Sequence, residues 1–412
     1  MSHQPKNNIS RRTFITQSVS GVTAAGFLSR SMKKSALSDM FARPDTKENP
    51  IMHRTLGRTN IRLPIVSMGI MNCFDAALIK KSYEIGVRHF DTSSVYQFGR
   101  NEEMLGDAIQ ELGVRDQVII GTKIRIPEQQ RHGNPDKTKE TFLRTADESL
   151  KRLKTNYIDI LYSHDVRTLA WLNDPGVLEA LQYLKDQKIA RFIGFSTHNL
   201  TEYILNAVQT GFYDVILTSY NYAMGDDTTY IDALKKAASK GIGLIAMKTQ
   251  CPQYHYRHQH AAGDKLSFYK GKIMHTAVLK WALRNDYFTT AVPGYNNFQQ
   301  MEEDFSVAYD LEYTSEEKAY LQDRNTKLSM GYCRQCQQCI PSCPYGVDIP
   351  TLMRTHMYAT CYTNFYQARD TINEIPEAQG LNVCASCASC VATCAHRIDI
   401  RKRIEELTLI YV

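Results

Sequence analysis

Eight of the eleven cysteines lie in two short runs. Both runs have the spacing Cys-x2-Cys-x2-Cys-x3-Cys; the first holds Cys333, Cys336, Cys339 and Cys343, and the second holds Cys384, Cys387, Cys390 and Cys394. Zinc sites usually use pairs of cysteines, and a disulfide does not easily join neighbours on one turn. A triplet with a trailing fourth cysteine is instead typical of iron–sulfur ligation. The remaining Cys73, Cys251 and Cys361 are most simply small apolar residues.

The repeated spacing predicts two [4Fe–4S] clusters with exchanged ligands. In two-cluster bacterial ferredoxins, three cysteines of a run bind one cubane and the fourth binds the other. By this pattern one cluster uses Cys333, Cys336, Cys339 and Cys394, and the other uses Cys384, Cys387, Cys390 and Cys343. The stretches IPTLMRTHMYATCYTNFYQARDTI and DIRKRIEELTLIYV have apolar residues at helical spacing. We therefore expect a small, mostly α-helical iron–sulfur domain over residues 329–412, which the clusters help to fold.

Four other polar residues suit proton-transfer chemistry. Asp91, Lys123 and His164 end short apolar runs, and Tyr96 follows Asp91 in a loop. A carboxylate, a phenol, an ammonium and an imidazole in one pocket would supply an acid, a base and an electrophile. Taken singly, each has a simpler interpretation: a helix cap, loop packing, a solvated strand end and a satisfied core histidine. Together they predict a catalytic site, if the fold brings them close.

The elements that would position these residues are eight apolar runs, each followed by a helical pattern. The runs are IVSMGI, RHFDTS, VIIGTKI, YIDILYSH, RFIGFST, DVILTSY, GLIAMK and TTAVPG. Eight strand–helix units in about 250 residues indicate an α/β fold of the TIM (β/α)8 barrel type, which we place at residues 51–328. A doubly wound open sheet is the alternative, but that fold would require a glycine-rich turn after its first strand, and IVSMGIMNCFDAA contains none. In a barrel the carboxyl ends of neighbouring strands converge, so the four polar residues would meet.

The N-terminal residues 1–50 have a different character. Paired Arg11 and Arg12 follow Ser10 and precede Phe14, and the mild apolar run that follows is too short and polar for a comfortable membrane span. This pattern resembles a twin-arginine export signal, which predicts passage through the twin-arginine machinery to a periplasmic or membrane-attached location. The alternative is a disordered basic tail on a cytoplasmic protein.

Composition limits the partners. The chain has 412 residues, of which 43% are hydrophobic and 22% charged, and its net charge is +6 at pH 7. This suits one large domain plus a small one. The basic residues alternate with acidic ones and form no stripe, so the sequence gives little support to a nucleic-acid partner.

The barrel residues resemble the aldo/keto reductase family. The likeness is carried by GVRHFDTSSVYQFGRNEEMLGDAI, VIIGTKI, YIDILYSHDV, RFIGFSTHN and AVPGYNNFQQMEEDF, and the cysteine runs are similar to a subgroup with a C-terminal iron–sulfur domain. The resemblance implies that Asp91, Tyr96, Lys123 and His164 form the catalytic tetrad, with a small carbonyl or alcohol compound as substrate. Lys123 is then expected to lower the pKa of the Tyr96 phenol. Asp91 would pair with Lys123, and His164 would orient the carbonyl oxygen.

The resemblance also implies an NADP or NAD site. Ser196, Gly294, Gln300 and Glu303 match cofactor-binding positions of the family. Five other positions depart from the family pattern, and they hold Thr197, Leu217, Met247, Asn296 and Asp304. Asn296 stands where an arginine would meet a 2′-phosphate, which removes the best bidentate donor for NADP.

Two loops contain further candidate pocket residues. YHYRHQH, residues 254–260, follows the seventh strand and is more simply a polar lid or substrate contact than a metal site. Tyr220, Asn221 and Tyr222 follow the sixth strand and are predicted to line the same pocket.

Two functions of different class remain open from the sequence. The first is an oxidoreductase that interconverts a carbonyl and an alcohol, with Tyr96 as general acid or base and the clusters either coupled to it or structural. The second is an exported electron-transfer protein, with a redox protein as its partner and the barrel as a binding scaffold. The complete tetrad favours the first, and the altered cofactor positions favour the second.

Overall fold

A computed structural model of the chain describes residues 49–126, 133–198, 201–250, 274–323, 326–327 and 330–412. The predicted export signal, the stretch 254–260 and Cys251 lie outside these ranges. The chain from Asn49 to Val412 forms one compact unit, which contains both the strand–helix region and the C-terminal segment.

Eight parallel strands form the centre of the molecule, in the order in which they occur in the sequence. The sheet closes on itself because Val66, just before the first of these strands, bridges in parallel to Ala291 in the last. The result is the TIM-like barrel that the eight runs predicted. Its strands are β3 (Met68–Gly69), β4 (His89–Asp91), β5 (Ile119–Ile124), β6 (Ile158–Ser163), β7 (Ala190–Thr197), β8 (Val215–Ser219), β9 (Gly243–Met247) and β10 (Thr290–Ala291).

An antiparallel hairpin that the sequence analysis did not identify precedes the barrel. It pairs β1 (His53–Thr55) with β2 (Arg62–Pro64). Leu56 and Leu63 of the hairpin join Tyr162 and other inward-facing strand residues in one apolar cluster. At Gly57 the backbone has φ +49°, and an added Cβ would lie 2.4 Å from the carbonyl oxygen of Gly241. The hairpin therefore closes the amino end of the barrel, opposite the end where Asp91, Lys123 and His164 lie.

Helices follow the strands and cover the outside of the barrel. Several begin with an Asp or Asn side chain that accepts hydrogen bonds from the first free backbone N–H groups, as Asp174 and Asp227 do. No helix among the described residues is long and apolar enough to cross a bilayer. The helices are α1 (Ala76–Ile85), α2 (Arg100–Leu112), α3 (Pro135–Arg152), α4 (Leu169–Leu172), α5 (Pro175–Asp186), α6 (Thr201–Thr210), α7 (Thr228–Ser239), α8 (His275–Leu283), α9 (Phe298–Ser306) and α10 (Ser315–Gln322).

The C-terminal segment is mostly helical, as predicted, and has an apolar cluster of its own around Leu352 and Leu407. One expected helix is interrupted: after a helix over Ile349–His356, called α11, the chain forms a π-helical turn over Met357–Cys361 and then breaks at Thr363, where φ is +49°. Asn364 starts the next helix by accepting from the N–H of Gln367 at 3.0 Å. The helices are α11 (Ile349–His356), α12 (Phe365–Ile372), α13 (Leu381–Ala385) and α14 (Ile400–Tyr411).

Candidate active site

The carboxyl end of the barrel brings the four predicted catalytic residues together. Lys123 Nζ lies 2.5 Å from Asp91 Oδ1 and donates to the carbonyl oxygen of Thr92 at 2.6 Å. The same Nζ lies 5.0 Å from the centre of the Tyr96 ring. The Tyr96 and His164 rings meet edge to face, with their centroids 5.7 Å apart. A phenol, an ammonium, a carboxylate and an imidazole thus lie close together at this end of the barrel.

Strand register explains this convergence. Asp91 pairs with Gly121 and Lys123 pairs with Tyr162, so the two charged side chains end adjacent strands. Gly121 leaves room for Asp91, because an added Cβ there would lie 3.2 Å from Asp91 Oδ2. His164 is held at Nδ1, which lies 3.0 Å from the hydroxyl oxygen of Ser93.

Burial determines the protonation of Tyr96 and His164, and it contradicts the prediction for the pKa of Tyr96. Burial raises the pKa of Tyr96, and the nearby carboxylates of Asp91 and Asp165 raise it further, so the predicted lowering of this pKa by Lys123 is wrong. Burial, followed by the charge of Lys123, holds the pKa of His164 well below its usual value. At neutral pH the phenol is therefore protonated and the imidazole is neutral.

A groove of about 310 Å³ runs from Asp91 and Tyr96 along the ends of β9 and β10. Gly294, Gln300 and Glu303, three of the predicted cofactor residues, line it. This volume lies at the lower end of the range typical of ligand pockets.

The fourth predicted cofactor residue, Ser196, lines a separate small cavity next to the tetrad. Its hydroxyl oxygen accepts from the backbone N–H of Asp165 at 2.9 Å.

The positions that depart from the family pattern have varied surroundings. Met247 lines both the groove and the small cavity, and Asn296 lines the groove. Asp304 also lines the groove, where burial raises its pKa to about 8 and Gln250 donates to its carboxylate. Leu217 is part of the barrel interior, and the hydroxyl of Thr197 donates to the carbonyl oxygen of Val166 at 3.2 Å. Neither Thr197 nor Leu217 lines the groove.

The C-terminal segment forms a wall of the site that the sequence analysis missed. The small cavity, of about 30 Å³, is lined by Tyr96, Lys123 and His164 from the barrel and by Arg354, Tyr358 and Glu374, among others, from α11 and the residues after it. Cys361 and Tyr362 line the groove beside Tyr96. Local sequence patterns gave no signal for this, because the contact depends on how the segment folds back over the barrel.

A buried ion-pair network joins this wall to the barrel. Arg354 Nη1 donates to both oxygens of Asp165, at 2.8 and 2.6 Å, and Arg167 Nη2 donates to Asp165 at 2.6 Å. Arg125 pairs with Asp370 at 2.8 Å and also with Glu374, which in turn contacts Arg167. Burial alone would raise the pKa of Asp165, but Arg167 and Arg354 outweigh it and hold the pKa well below its usual range. The carboxylate is therefore ionised at neutral pH.

The two cysteine runs lie side by side in the C-terminal segment. Electrostatic interactions link the thiols of Cys333, Cys336, Cys339 and Cys394 in one group, and those of Cys343, Cys384, Cys387 and Cys390 in the other. All eight are free thiols. Among the described residues no three His, Cys, Asp or Glu side chains are arranged to hold a metal ion. Burial raises the pKa of Cys333 to about 12 and that of Cys384 to about 11.

The predicted pocket residues after β8 lie elsewhere. Tyr220 is buried and stacks on Trp281 with the ring centroids 5.0 Å apart, and the Tyr222 ring meets Trp281 edge to face. Asn221 is fully buried. These residues pack the barrel against α8 and do not line the groove or the small cavity.

Comparison with known proteins gives the class of the molecule. A sequence model of the aldo/keto reductase family matches residues 72–250. The structure of an aldo-keto reductase from Bacillus halodurans superposes with a TM-score of 0.53 at 21% identity, over 66% of this chain and 96% of that one. The barrel is therefore similar to the aldo/keto reductases in fold and, over residues 72–250, in sequence.

Two named enzymes are also similar to the chain in sequence. L-galactose dehydrogenase of Arabidopsis thaliana is 28% identical over 63% of this chain and 88% of its own length. L-glyceraldehyde 3-phosphate reductase of Escherichia coli is 22% identical over 66% of this chain and 91% of its own. The chain is an aldo/keto reductase-like oxidoreductase.

Proposed function

We propose that the chain interconverts a carbonyl and an alcohol, with Tyr96 as the general acid or base and a nicotinamide dinucleotide in the groove. The observation that carries the proposal is the convergence of Asp91, Tyr96, Lys123 and His164 beside a groove of about 310 Å³, which Asp91 and Tyr96 line. Gly294, Gln300 and Glu303 would hold the dinucleotide. When bound, it would supply or accept a hydride.

The chain's own residues would then transfer the proton to the substrate oxygen. Reduction of a carbonyl creates an alkoxide, which is a far stronger base than a phenolate, so Tyr96 can protonate it even with a raised pKa. Neutral His164 would hydrogen-bond the carbonyl oxygen, and the Lys123–Asp91 pair would stabilise the negative charge left on the phenol. Because burial raises the pKa of Tyr96, the phenol is in the protonated form that the reduction of a carbonyl requires at neutral pH.

The test is a titration of anaerobically prepared protein with NADH and NADPH, followed by assays with small aldehydes and ketones. We expect one of the two nucleotides to bind and to be oxidised when a carbonyl compound is added. Absence of binding by both would contradict the proposal and would favour the electron-transfer interpretation.

We also propose that the C-terminal segment binds two [4Fe–4S] clusters. The donor set fits, because the eight thiols form two groups of four, each with three cysteines from one run and one from the other. Cubane ligands surround a cluster of four irons and so lie further apart than ligands of a single ion.

Iron analysis tests this ligation. Anaerobically prepared protein should contain about eight iron and eight sulfide per chain. Cys343→Ser should damage the cluster bound mainly by the second run, leaving roughly half of the iron, whereas Cys361→Ser, outside both runs, should leave the iron content unchanged. Four irons in the parent chain, or zinc in their place, would contradict two clusters.

Export by the twin-arginine route is a further proposal, supported by Arg11 and Arg12 and by the need to insert clusters before translocation. The double variant Arg11→Lys with Arg12→Lys should stay in the cytoplasm in a fractionation experiment. Equal periplasmic or membrane-bound amounts of the variant and its parent would rule this out.

A further inference from the structure

Lys248 stands where the cofactor groove meets the small cavity beside the tetrad. It follows β9 directly and lines both spaces. Its backbone has φ +58°, a left-handed conformation that is uncommon for a residue with a side chain. Its Nζ lies 4.8 Å from the centre of the Tyr358 ring and 4.9 Å from that of Tyr362. Two aromatic rings of the C-terminal segment thus hold an ammonium group next to the catalytic residues.

The charges around Lys248 do not balance. Each neighbouring cation has a carboxylate partner: Lys123 pairs with Asp91, Arg354 and Arg167 with Asp165, and Arg125 with Asp370. Lys248 makes no hydrogen bond or ion pair with any described residue. Counting Glu374, which contacts Arg125 and Arg167, the described residues of the cluster hold five cations and four carboxylates. The half-buried Lys248 is the cation without a carboxylate partner, and withdrawing an unpaired charge from water is unfavourable. A bound anion would remove the imbalance.

A second unpaired donor lies in the same wall. The side chain of Arg354 is 4% exposed, and its Nε has no hydrogen-bond partner although it is buried. Arg354 lines the small cavity together with Lys248 and Tyr96. Buried polar groups are almost always paired, so an unpaired donor in a cavity wall indicates a missing acceptor.

We propose that Lys248, with Arg354 beside it, binds an anionic group of the carbonyl substrate. This deepens the proposed function and rests on it. The substrate class is a small carbonyl compound with a carboxylate or phosphate group close to the carbonyl. Its size is limited by the small cavity, whose 30 Å³ is room for about two water molecules.

The charged state of Lys248 depends on several neighbours. Burial, followed by the charges of Arg354 and Lys123, lowers the pKa of Lys248 to about 7, while Asp165 and Asp91 oppose the shift. The titratable side chains of Tyr96, His164, His198, Tyr358 and Tyr362 also lie nearby. Lys248 is thus cationic below about pH 7, and an anionic substrate should lose affinity as the pH rises above that value.

The test compares Lys248→Met with its parent on matched substrates. Pyruvate is paired with its neutral ester methyl pyruvate, and glycolaldehyde phosphate with glycolaldehyde. We expect Lys248→Met to raise KM for the anionic member of a pair by about 10- to 100-fold, with little change for the neutral member. Lys248→Arg should restore much of the preference, and the rise of KM with pH should disappear in Lys248→Met. Lys235→Met, an exposed position on α7, is the matched control.

Two further measurements distinguish a failure of the proposed anion site from a failure of the proposed reaction. Dissociation constants for NADH and NADPH should be the same in Lys248→Met and the parent; if nucleotide binding weakens while the preference for anionic substrates stays, Lys248 serves the cofactor and the inference is overturned. Inorganic phosphate should raise the Tm of the parent more than that of Lys248→Met. If the phosphate effect is found but no carbonyl is reduced, the proposed reaction fails and the anion site stands. If phosphate raises the Tm of both proteins equally and pyruvate has the same KM with both, Lys248 binds no anion and the inference is overturned.

Discussion

Tyr96→Phe should lower turnover of the carbonyl substrate by about 10² to 10⁴, because it removes the hydroxyl that donates the proton and leaves the ring in place. The Tyr96 ring packs edge to face on His164, and phenylalanine keeps that contact. KM should change little, since the substrate retains His164 as a hydrogen-bond donor. The measurement is kcat and KM at neutral pH, with far-UV circular dichroism to confirm the fold.

The control for this variant is Tyr183→Phe, which removes an exposed hydroxyl on α5. It should have parental activity. If Tyr96→Phe were as active as Tyr183→Phe, another group would have to supply the proton, and Tyr96 would lose its assigned role.

Asp165→Asn should lower the free energy of unfolding by about 3–5 kcal/mol. The carboxylate accepts from both Arg354 and Arg167, and its removal leaves these guanidinium groups with Glu374 as their remaining carboxylate. Breaking one partner of a buried ion pair is strongly destabilising because it leaves an uncompensated charge. Chemical denaturation under anaerobic conditions measures the loss, and Asp232→Asn, at an exposed site on α7, should cause almost none.

Asp165→Asn should also change how the free energy of unfolding depends on pH. Since the pKa of Asp165 is depressed in the folded protein, its contribution to stability is complete above the unfolded value of about 3.9 and is lost as the pH falls toward the folded value. Asp165→Asn should therefore show a shallower loss of stability below about pH 4 than the parent. Parallel curves for the two proteins would mean that the Asp165 carboxylate does not stabilise the fold.

The strands and the convergence of the four candidate catalytic residues were predictable because both depend on local pattern. Each apolar run marks a strand, and parallel strands place their last residues at one end of a barrel, so Asp91, Lys123 and His164 had to converge. The pKa of Tyr96 was not predictable in the same way. The neighbouring ammonium was visible in the sequence, but the burial that outweighs it depends partly on residues that cover the pocket.

Residues far apart in the sequence were the hardest to place. Arg354 and Glu374 lie between the cysteine runs, and nothing in a helical pattern shows that these side chains reach Asp165 and Arg125. Lys248 was treated as the last residue of a strand. Its unusual surroundings become visible only when Tyr358 and Tyr362 are in position over it. The break at Thr363, directly after Tyr362, also has no strong local signal.

The wall formed by Arg354 and Glu374 affects when the site is completed during translation. The ribosome makes about 5–20 residues per second, so all eight barrel strands have been made seconds before Glu374 is added. During that interval Asp165 and Arg125 lack their later partners and can remain hydrated at the open mouth of the barrel. A nascent chain that ends before Arg354 contains the tetrad residues but lacks the side chains that wall the small cavity beside them.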